Sequence, residues 1–408
     1  MKGLIFIEAQ KLRQTQQWGG ELSDSFSIRA GKIHTGIDSQ DNAVLKINKG
    51  LIESVGESPG HHPDYDLRDY MLLPAYSDIH THGYFGIDAY FGEKQDIEEW
   101  AEKLYTTGVT TFTPSLVSLP LDSILEQFRK YDGIIHGQKK GARVLGIRCE
   151  GPYLSKEKRG AHNIDYLRIP ELEEIEELFR KGQGILKVID IAPETGDFAE
   201  IVRIASKYGI RVSAGHSNAT YAQSMAAFDH GASMVTHFFN AMSGLTHSDS
   251  GMVGAGLLNK TVPLEIIADF HHVPPESIRI IDRMRGMGRV VLISDSLPIG
   301  GSTGGHFSIG GLDILEKGGV AWIKGTDTIA GSVLTLDRAV QNLAGMGFPI
   351  GQLAHAASTI QSEILGLQHT GTIEPGKSAN IAVLDRGLKV AALIHDGNVV
   401  LDKESLFR

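Results

Sequence analysis

The sequence predicts an α/β protein in which a (β/α)8 TIM barrel carries a small β-sandwich domain built from both termini. β-rich runs alternate with amphipathic helical patterns from about residue 71 to residue 295, and further β-rich segments lie at both ends of the chain. No G-x-G-x-x-G motif of a dinucleotide-binding sheet follows any of these runs. We therefore predict the barrel over residues 71–370 and the small domain over residues 1–70 and 371–408.

Eight β-rich runs predict the barrel strands. Between them lie helical patterns such as residues 96–107, where apolar side chains recur at the spacing of one helix face. Eight strands with intervening helices in about 225 residues fit a closed barrel better than an open, doubly wound sheet. The runs are residues 71–79, 109–113, 143–149, 185–191, 210–214, 232–236, 262–268 and 289–294.

The segments outside these runs predict hairpins and one loop. Residues 46–57 alternate around a short turn, and residues 381–400 form runs broken by turns, which predicts hairpins of the small domain. Residues 300–311 contain six glycines and no extended apolar run, so we expect a mobile loop there. Residues 312–324 predict a hairpin, whereas residues 1–30 show no clear period and receive no assignment.

The composition restricts the class of protein and the class of partner. With 408 residues, 41% of them hydrophobic and 22% charged, the chain has the balance of a globular protein. The formal net charge of −10 disfavours nucleic acid as a partner, and no run of about 18 apolar residues is present to span a membrane. The single Cys149 cannot form an internal disulfide, which suits the reducing cytoplasm. We expect a cytoplasmic protein that binds neither nucleic acid nor membrane.

Candidate metal ligands follow the C-terminal ends of the predicted strands. His80 and His82 end the first run, Glu150 the third, His216 the fifth and His237 the sixth. Because TIM-barrel active sites lie at the rim where these strand ends meet, the set predicts a metal site. The paired histidines could hold one ion, the glutamate could bridge to a second, and the remaining histidines complete its ligands. Imidazole and carboxylate fit a divalent metal, one or two ions per subunit, for which we expect Zn²⁺ with Fe²⁺ or Mn²⁺ as alternatives.

Two further residues are candidates for catalysis. Asp295 follows the eighth run, where it could remove a proton from attacking water and later pass it to the leaving group. His162 lies in the loop beyond the third run, where it could polarise a carbonyl or stabilise an oxyanion. A single histidine in a strand is more often structural, but independent structural histidines have no reason to gather at the same end of successive strands.

Eleven short motifs occur in order between about residues 40 and 400. They are D-I-H-T-H-G at 78–83, T-P-S at 113–115, E-G-P-Y-L-S at 150–155, G-A-H at 160–162, A-P-E at 192–194, G-H-S at 215–217, T-H-F-F-N-A-M at 236–242, H-V-P at 272–274, S-D-S at 294–296, A-G-S at 330–332 and G-x-I-x-P-G-K-x-A-N at 371–380. As an ordered set they resemble the N-acetylglucosamine-6-phosphate deacetylases of the amidohydrolase superfamily.

The resemblance implies a metal-dependent amidohydrolase, a homodimer, that releases acetate from a small-molecule N-acetylated amino sugar phosphate. By this resemblance the metal ligands are Glu150, His216 and His237 for the principal ion and His80 and His82 for a second, and the acid–base residue is Asp295. The residues that the resemblance places around the sugar are His162, Asn240, Ala241 and His272, the last of them at the phosphate.

One departure from the family pattern concerns the phosphate. Where the family usually has R-E-P-G after the N-A-M segment, this chain has Ser248-Asp249-Ser250-Gly251. The arginine that reaches the sugar phosphate is therefore replaced at Ser248, and its charge-assisted contact is lost. A non-phosphorylated or different N-acyl substrate is the alternative that follows. Cleavage of a cyclic amide or an N-acyl amino acid, and a non-catalytic sugar-binding barrel, are more distant alternatives.

Overall fold

The structure, a computed structural model, describes residues 23–58, 60, 62–301, 305–309 and 312–408. Residues 1–22, which the predicted small domain includes, lie outside this range. Within the described residues, eight parallel strands form the barrel, and each overlaps one predicted run. The barrel strands are Tyr76–Thr81, Val109–Leu116, Ile147–Glu150, Leu186–Ile191, Arg211–Ala214, Met234–Val235, Leu264–Ile266 and Val290–Leu292.

Neighbouring barrel strands pair in chain order from the first to the eighth. The eighth strand returns to the first through backbone hydrogen bonds at the rim. The Asp295 N–H donates to the His80 carbonyl at 2.9 Å, and the His82 N–H donates to the Ser296 carbonyl at 2.8 Å. The predicted barrel is confirmed, and the C-terminal ends of its strands meet at one rim.

Helices cover the outside of the barrel and bury one apolar face each. In the helix Lys94–Leu104 a reciprocal cap between Glu93 and Asp96 fixes the first turn, and the predicted apolar face, which includes Trp100, is buried. None of the described helices is long and apolar enough to cross a membrane. The α-helices are Lys94–Leu104, Leu121–Gly137, Leu172–Gly182, Phe198–Lys207, Tyr221–Asp229, Gly251–Leu258, Pro275–Arg285, Leu336–Gly345, Ile350–Ala354 and Ile360–Leu365, with single turns of other helix types at Tyr105–Thr107, Ile164–Tyr166, Pro193–Thr195 and His355–Thr359.

Strands from both ends of the chain form one mixed sheet, which confirms the small β domain from both termini. The sheet curls on itself, because Leu51 in its outermost strand forms a bridge with Ser378, and it encloses a separate apolar core. The predicted hairpins at 46–57 and 381–400 are confirmed within it. Its strands are Ser25–His34, Ser39–Asp41, Val44–Asn48, Leu51–Gly56, Tyr65–Pro74, Ile381–Leu384, Val390–His395 and Asn398–Asp402.

Two strands of this sheet depart from the sequence analysis. The strand Ser25–His34, which received no assignment, pairs with Tyr65–Pro74 with a register shift between Ala30 and Lys32. This bulge interrupts the alternation of buried and exposed residues and conceals the period of the strand. The strand Tyr65–Pro74 belongs to the terminal sheet and extends past the predicted domain boundary at residue 71.

Part of the glycine-rich segment after the eighth barrel strand forms a β-strand. Gly305–Ile309 is a strand that pairs with Leu312–Lys317, which pairs in turn with Val320–Ile323. The hairpin predicted at 312–324 is confirmed, whereas the predicted loop is wrong for residues 305–309. The strand is stabilised by backbone pairing with the edge of the hairpin and by packing of Phe307 on an apolar cluster. Neither contact can be predicted from the composition of the segment itself.

Trp100 should be a large contributor to the stability of the barrel. Its side chain is fully buried, and its ring centroid lies 4.9 Å from that of Phe112. The substitution Trp100→Ala should lower the free energy of unfolding by about 3–5 kcal/mol, because it removes the ring and leaves a cavity. The matched control Phe91→Ala removes a side chain that is 66% exposed, and it should change the free energy of unfolding by less than about 0.5 kcal/mol. Denaturant titration measures both, and equal losses would contradict the assignment.

Candidate active site

The two histidines at the end of the first barrel strand present the same ring nitrogen to the barrel rim. The Nδ1–H of His82 donates to the Ser115 carbonyl at 3.0 Å, and the Nδ1–H of His80 donates to the Glu265 carboxylate at 3.2 Å. Because Nδ1 carries the proton in each ring, Nε2 offers a lone pair. These Nε2 atoms lie 3.7 Å (His80) and 3.1 Å (His82) from oxygens of Glu150.

Oε1 of Glu150 and the Nε2 atoms of two further histidines form a close group of three possible ligand atoms. This oxygen lies 3.0 Å from His216 Nε2 and 3.1 Å from His237 Nε2, and these two nitrogens lie 3.0 Å apart. The Nδ1–H of His216 donates to the Lys158 carbonyl at 2.8 Å, which leaves a lone pair on Nε2. Nitrogen and oxygen ligands bind Zn²⁺ at about 2.0–2.2 Å. In a tetrahedral site such ligand atoms are only slightly farther from one another than the three atoms here. The sequence-predicted ligands are therefore brought together in a geometry that an ion fits.

Atoms without hydrogen-bond partners support the fit to a metal. Among the described residues, His80 Nε2 and Asp295 Oδ1 are buried atoms without a hydrogen-bond partner. They lie 3.5 Å apart, but no hydrogen bond joins them. Buried polar atoms that lack a partner are costly, and a cation between several lone pairs removes that cost. His80, His82 and Glu150 form one group that could hold an ion, and Glu150, His162 and His216 form another. The donor set of imidazole and carboxylate suits a divalent metal.

Asp295 is held ionised opposite these ligands. Burial would raise the pKa of Asp295, but the positive charge of protonated His80 and the hydrogen bond from protonated His82 outweigh burial and lower the pKa to about 2. A cation bound to the Nε2 lone pairs of the neutral rings would supply positive charge at the same place. An ionised carboxylate can accept a proton. His216, His237 and Asp295 also have left-handed backbone φ angles of 46°, 26° and 48°, which are rare outside glycine and are common at functional sites.

A buried charged layer supports the ligands from inside the barrel. Arg148, two residues before Glu150 on the same strand, donates to Asp190 at 2.7 and 2.8 Å and to Glu265 at 3.1 Å. Glu265 in turn accepts from His80 Nδ1 and from the His237 N–H. Sequence analysis missed Arg148, Asp190 and Glu265. The signal was present, because charged residues within apolar barrel strands require partners.

Except for His80, the candidate ligands line a cavity of about 440 Å³, and Asp295 lines it too. The residues that resemble sugar-binding positions in the family, His162, Asn240, Ala241 and His272, all line it. Because the Ser118 N–H donates to His162 Nδ1 at 3.1 Å, the proton of a neutral His162 ring is on Nε2, which faces Glu150. The Nδ1–H of His272 donates to Asp269 at 2.7 Å.

Ser248 and Glu194, the last residue of the A-P-E motif, lie outside the described cavity wall. Ser248 is on an exposed turn, and it is not among the described residues that line the cavity. The neighbouring Asp249 carboxylate accepts the Tyr221 N–H at 3.0 Å and the Gly251 N–H at 2.7 Å, so backbone donors bind its charge. Glu194, which ends the fourth predicted run, accepts the Ser217 hydroxyl at 2.6 Å and supports the turn after His216.

The charged layer should control metal affinity through His80. Both Glu265 and Asp190 pair with Arg148, but of the two only Glu265 contacts a candidate ligand. The substitution Glu265→Gln should weaken divalent-metal affinity by about 10- to 100-fold, because a neutral amide makes His80 a less basic ligand. The matched control Asp190→Asn should weaken it less. Competition with a chromophoric chelator measures both affinities, and an equal loss in the two variants would contradict a role through His80.

Comparisons with known proteins agree with this geometry. The model of the Amidohydrolase family matches residues 71–400. The N-acetylgalactosamine-6-phosphate deacetylase of Escherichia coli O157:H7 is 33% identical over 374 residues, which cover 91% of this chain and 98% of that protein. The N-acetylglucosamine-6-phosphate deacetylase of Vibrio furnissii is 32% identical over 385 residues, which cover 93% of this chain and 96% of that protein.

Solved structures of the same kind of protein share the whole fold. A point mutant of the N-acetyl-D-glucosamine-6-phosphate deacetylase of Mycobacterium smegmatis, in complex with N-acetyl-D-glucosamine-6-phosphate, superposes with a TM-score of 0.86 at 29% identity, covering 93% of this chain and 100% of that one. The N-acetylglucosamine-6-phosphate deacetylase of Thermotoga maritima gives a TM-score of 0.83 at 32% identity, covering 92% and 99%. The chain therefore belongs to the N-acetylglucosamine-6-phosphate deacetylase family of the amidohydrolases.

Proposed function

We propose that this protein is a metal-dependent deacetylase that hydrolyses the acetamide of an N-acetylated amino sugar 6-phosphate to the amino sugar and acetate. The observation that carries the proposal is the convergence of Glu150, His216 and His237 opposite an ionised Asp295, on the floor of one cavity. The relatives named above act on N-acetylglucosamine-6-phosphate or N-acetylgalactosamine-6-phosphate, and we take one of these two as the substrate.

We propose Zn²⁺ as the ion of this site, with Fe²⁺ or Mn²⁺ as alternatives. Glu150, His216 and His237 would hold the principal ion, and His80 and His82 would join Glu150 around a second. A bound divalent ion acidifies water and polarises an amide carbonyl. Elemental analysis of the purified protein identifies the metal and its stoichiometry.

The chain supplies the proton transfers and the oxyanion contact. Asp295 takes a proton from the attacking water as the new C–O bond forms, and the carbonyl oxygen becomes an oxyanion. The Nε2–H of His162 donates to that oxyanion. Asp295 then gives its proton to the amide nitrogen as the C–N bond breaks, which releases the amine and acetate. A barrel that only binds a sugar needs no such base.

The walls of the cavity would orient the sugar. Asn240 and Ala241 follow His237, and the Asn240 amide donates to the His237 and Phe238 carbonyls, which fixes this turn beside the ligand. His272 is anchored through Nδ1 by Asp269, which leaves Nε2 toward the substrate. We assign His272 to the phosphate, to which the Nε2–H of the protonated ring would donate. Ser248 would have no part in binding within its own subunit, because it lies outside the described cavity wall.

We further propose a cytoplasmic homodimer. The family resemblance implies the dimer, and the large apolar residues Ile164 and Ile169 are 46% and 69% exposed. The single Cys149 is buried and requires no oxidising compartment. Light scattering should give twice the mass of one chain, and the mass of a single chain would contradict the dimer.

The role of Asp295 is tested by substitution. Asp295→Asn keeps the shape of the side chain but cannot accept the proton, so kcat should fall by about 10²- to 10⁴-fold while the metal content is unchanged. The control Asp88→Asn alters another buried aspartate, which is outside the described cavity wall and caps the Tyr90 and Phe91 N–H groups. An Asp295→Asn enzyme as active as this control would eliminate the proposed base.

The substrate is tested by acetate release from metal-loaded enzyme. We expect turnover of N-acetylglucosamine-6-phosphate or N-acetylgalactosamine-6-phosphate, with kcat/KM well above that of the same sugars without phosphate. Faster turnover of the non-phosphorylated sugars would support the alternative suggested by the Ser248 replacement. No acetate release from any of the four sugars would refute the deacetylase proposal.

A further inference from the structure

One loop of the cavity wall is held directly against a candidate metal ligand. The Ser155 N–H donates to the His216 carbonyl at 2.9 Å, and the Nδ1–H of His216 donates to the Lys158 carbonyl at 2.8 Å. Gly160 has a left-handed φ of 55°, and a Cβ there would lie 3.1 Å from the His216 ring. The backbone of Lys158 is therefore fixed relative to the metal ligands, and Lys158 is a half-buried residue among those that line the cavity.

The charges around the cavity single out Lys158. Among the described residues that line it, Lys158 is the one lysine or arginine, and Glu150, Glu157 and Asp295 are the carboxylates. No carboxylate in the described part of the chain lies within salt-bridge distance of the Lys158 ammonium. The Glu157 carboxylate accepts the Ser155 hydroxyl at 2.9 Å. Lys158 is thus a cation without a carboxylate partner on the cavity that we propose to bind the substrate.

A phosphorylated sugar needs such a cation in this chain. A phosphate dianion entering a cavity that already holds carboxylates is repelled unless positive charge faces it. The family arginine is replaced by Ser248, which is exposed outside the described wall. The Nδ1–H of His272 is bound to Asp269, so His272 has a second N–H for a phosphate only when its ring is protonated. A lysine ammonium on its flexible four-carbon stem binds phosphate as a point charge without requiring the planar geometry of arginine.

We propose that Lys158 binds the 6-phosphate of the substrate in place of the missing arginine, and thereby sets the preference for phosphorylated sugars. The inference rests on the proposed deacetylase function, which it extends by naming the residue that selects the anionic substrate. It assigns no chemical step to Lys158, whose contribution is to substrate binding.

The test compares the wild type with Lys158→Met, Lys158→Arg and the control Lys156→Met. Lys156 lies on the same loop, is exposed and is not among the described cavity residues, so the control removes the same charge elsewhere. The measured quantity is the ratio of kcat/KM for N-acetylglucosamine-6-phosphate to that for N-acetylglucosamine. Lys158→Met should lower this ratio about 10- to 100-fold, mainly through KM, because a charge-assisted contact is lost. Lys158→Arg should restore part of it, and Lys156→Met should leave it within about twofold.

A binding measurement separates this inference from the proposed function. Glucosamine 6-phosphate has no acetamide to cleave, and calorimetry on metal-loaded protein should show weaker binding to Lys158→Met by the same factor, with unchanged metal content. A Lys158→Met enzyme that keeps the wild-type preference and affinity would overturn the inference, as would a wild type without preference for phosphate. Failure of every sugar to release acetate would refute the deacetylase, and the calorimetry would still decide the role of Lys158.

Discussion

The site depends on the carboxylate of Glu150, to which lone pairs from distant parts of the chain converge. Its oxygens lie 3.0 and 3.1 Å from Nε2 of His216 and His237, and 3.7 and 3.1 Å from Nε2 of His80 and His82. The Nδ1 atoms of His80, His82 and His216 donate their protons away from this centre, so the Nε2 atoms of these three rings face the carboxylate as acceptors. A cation satisfies several such acceptors at once. The parallel arrangement of the barrel strands makes this possible, because it brings the C-terminal ends of the strands that carry the ligands to the same rim.

Below the ligands, the barrel interior holds a buried arginine paired with two carboxylates. Arg148 is fully buried between Asp190 and Glu265, and burying these charges is tolerable because each is paired and hydrogen-bonded. Such a cluster is weak support for stability, since apolar packing could replace it. Its value is positional, because Glu265 connects the arginine to His80 and to the backbone of His237. Through these hydrogen bonds, the charged layer orients His80 and His237 for metal binding.

The sequence predicts the parts of this protein in which local pattern and tertiary structure agree. The barrel strands, the helix faces and the ligands at the strand ends follow from periodicity and position alone. The strand Ser25–His34 was missed because a bulge interrupts its alternation, and Gly305–Ile309 was expected as a loop because its partner strand lies outside any local window. Arg148 and Glu265 were overlooked because a partner across the barrel interior cannot be seen from spacing along the chain. The location of Ser248 outside the described cavity wall, and of Lys158 on it, required the structure as well.

The fold, the charged layer and the cavity all serve one claim, that a divalent ion resides between Glu150, His216 and His237. Anomalous diffraction from crystals of the protein as purified, recorded on both sides of the metal absorption edge, tests this most directly. A peak about 2.0–2.2 Å from one oxygen of Glu150 and from Nε2 of both histidines is the expected result. An ordered site without a peak, with a proton-bearing histidine bonded to Glu150 instead, would contradict it.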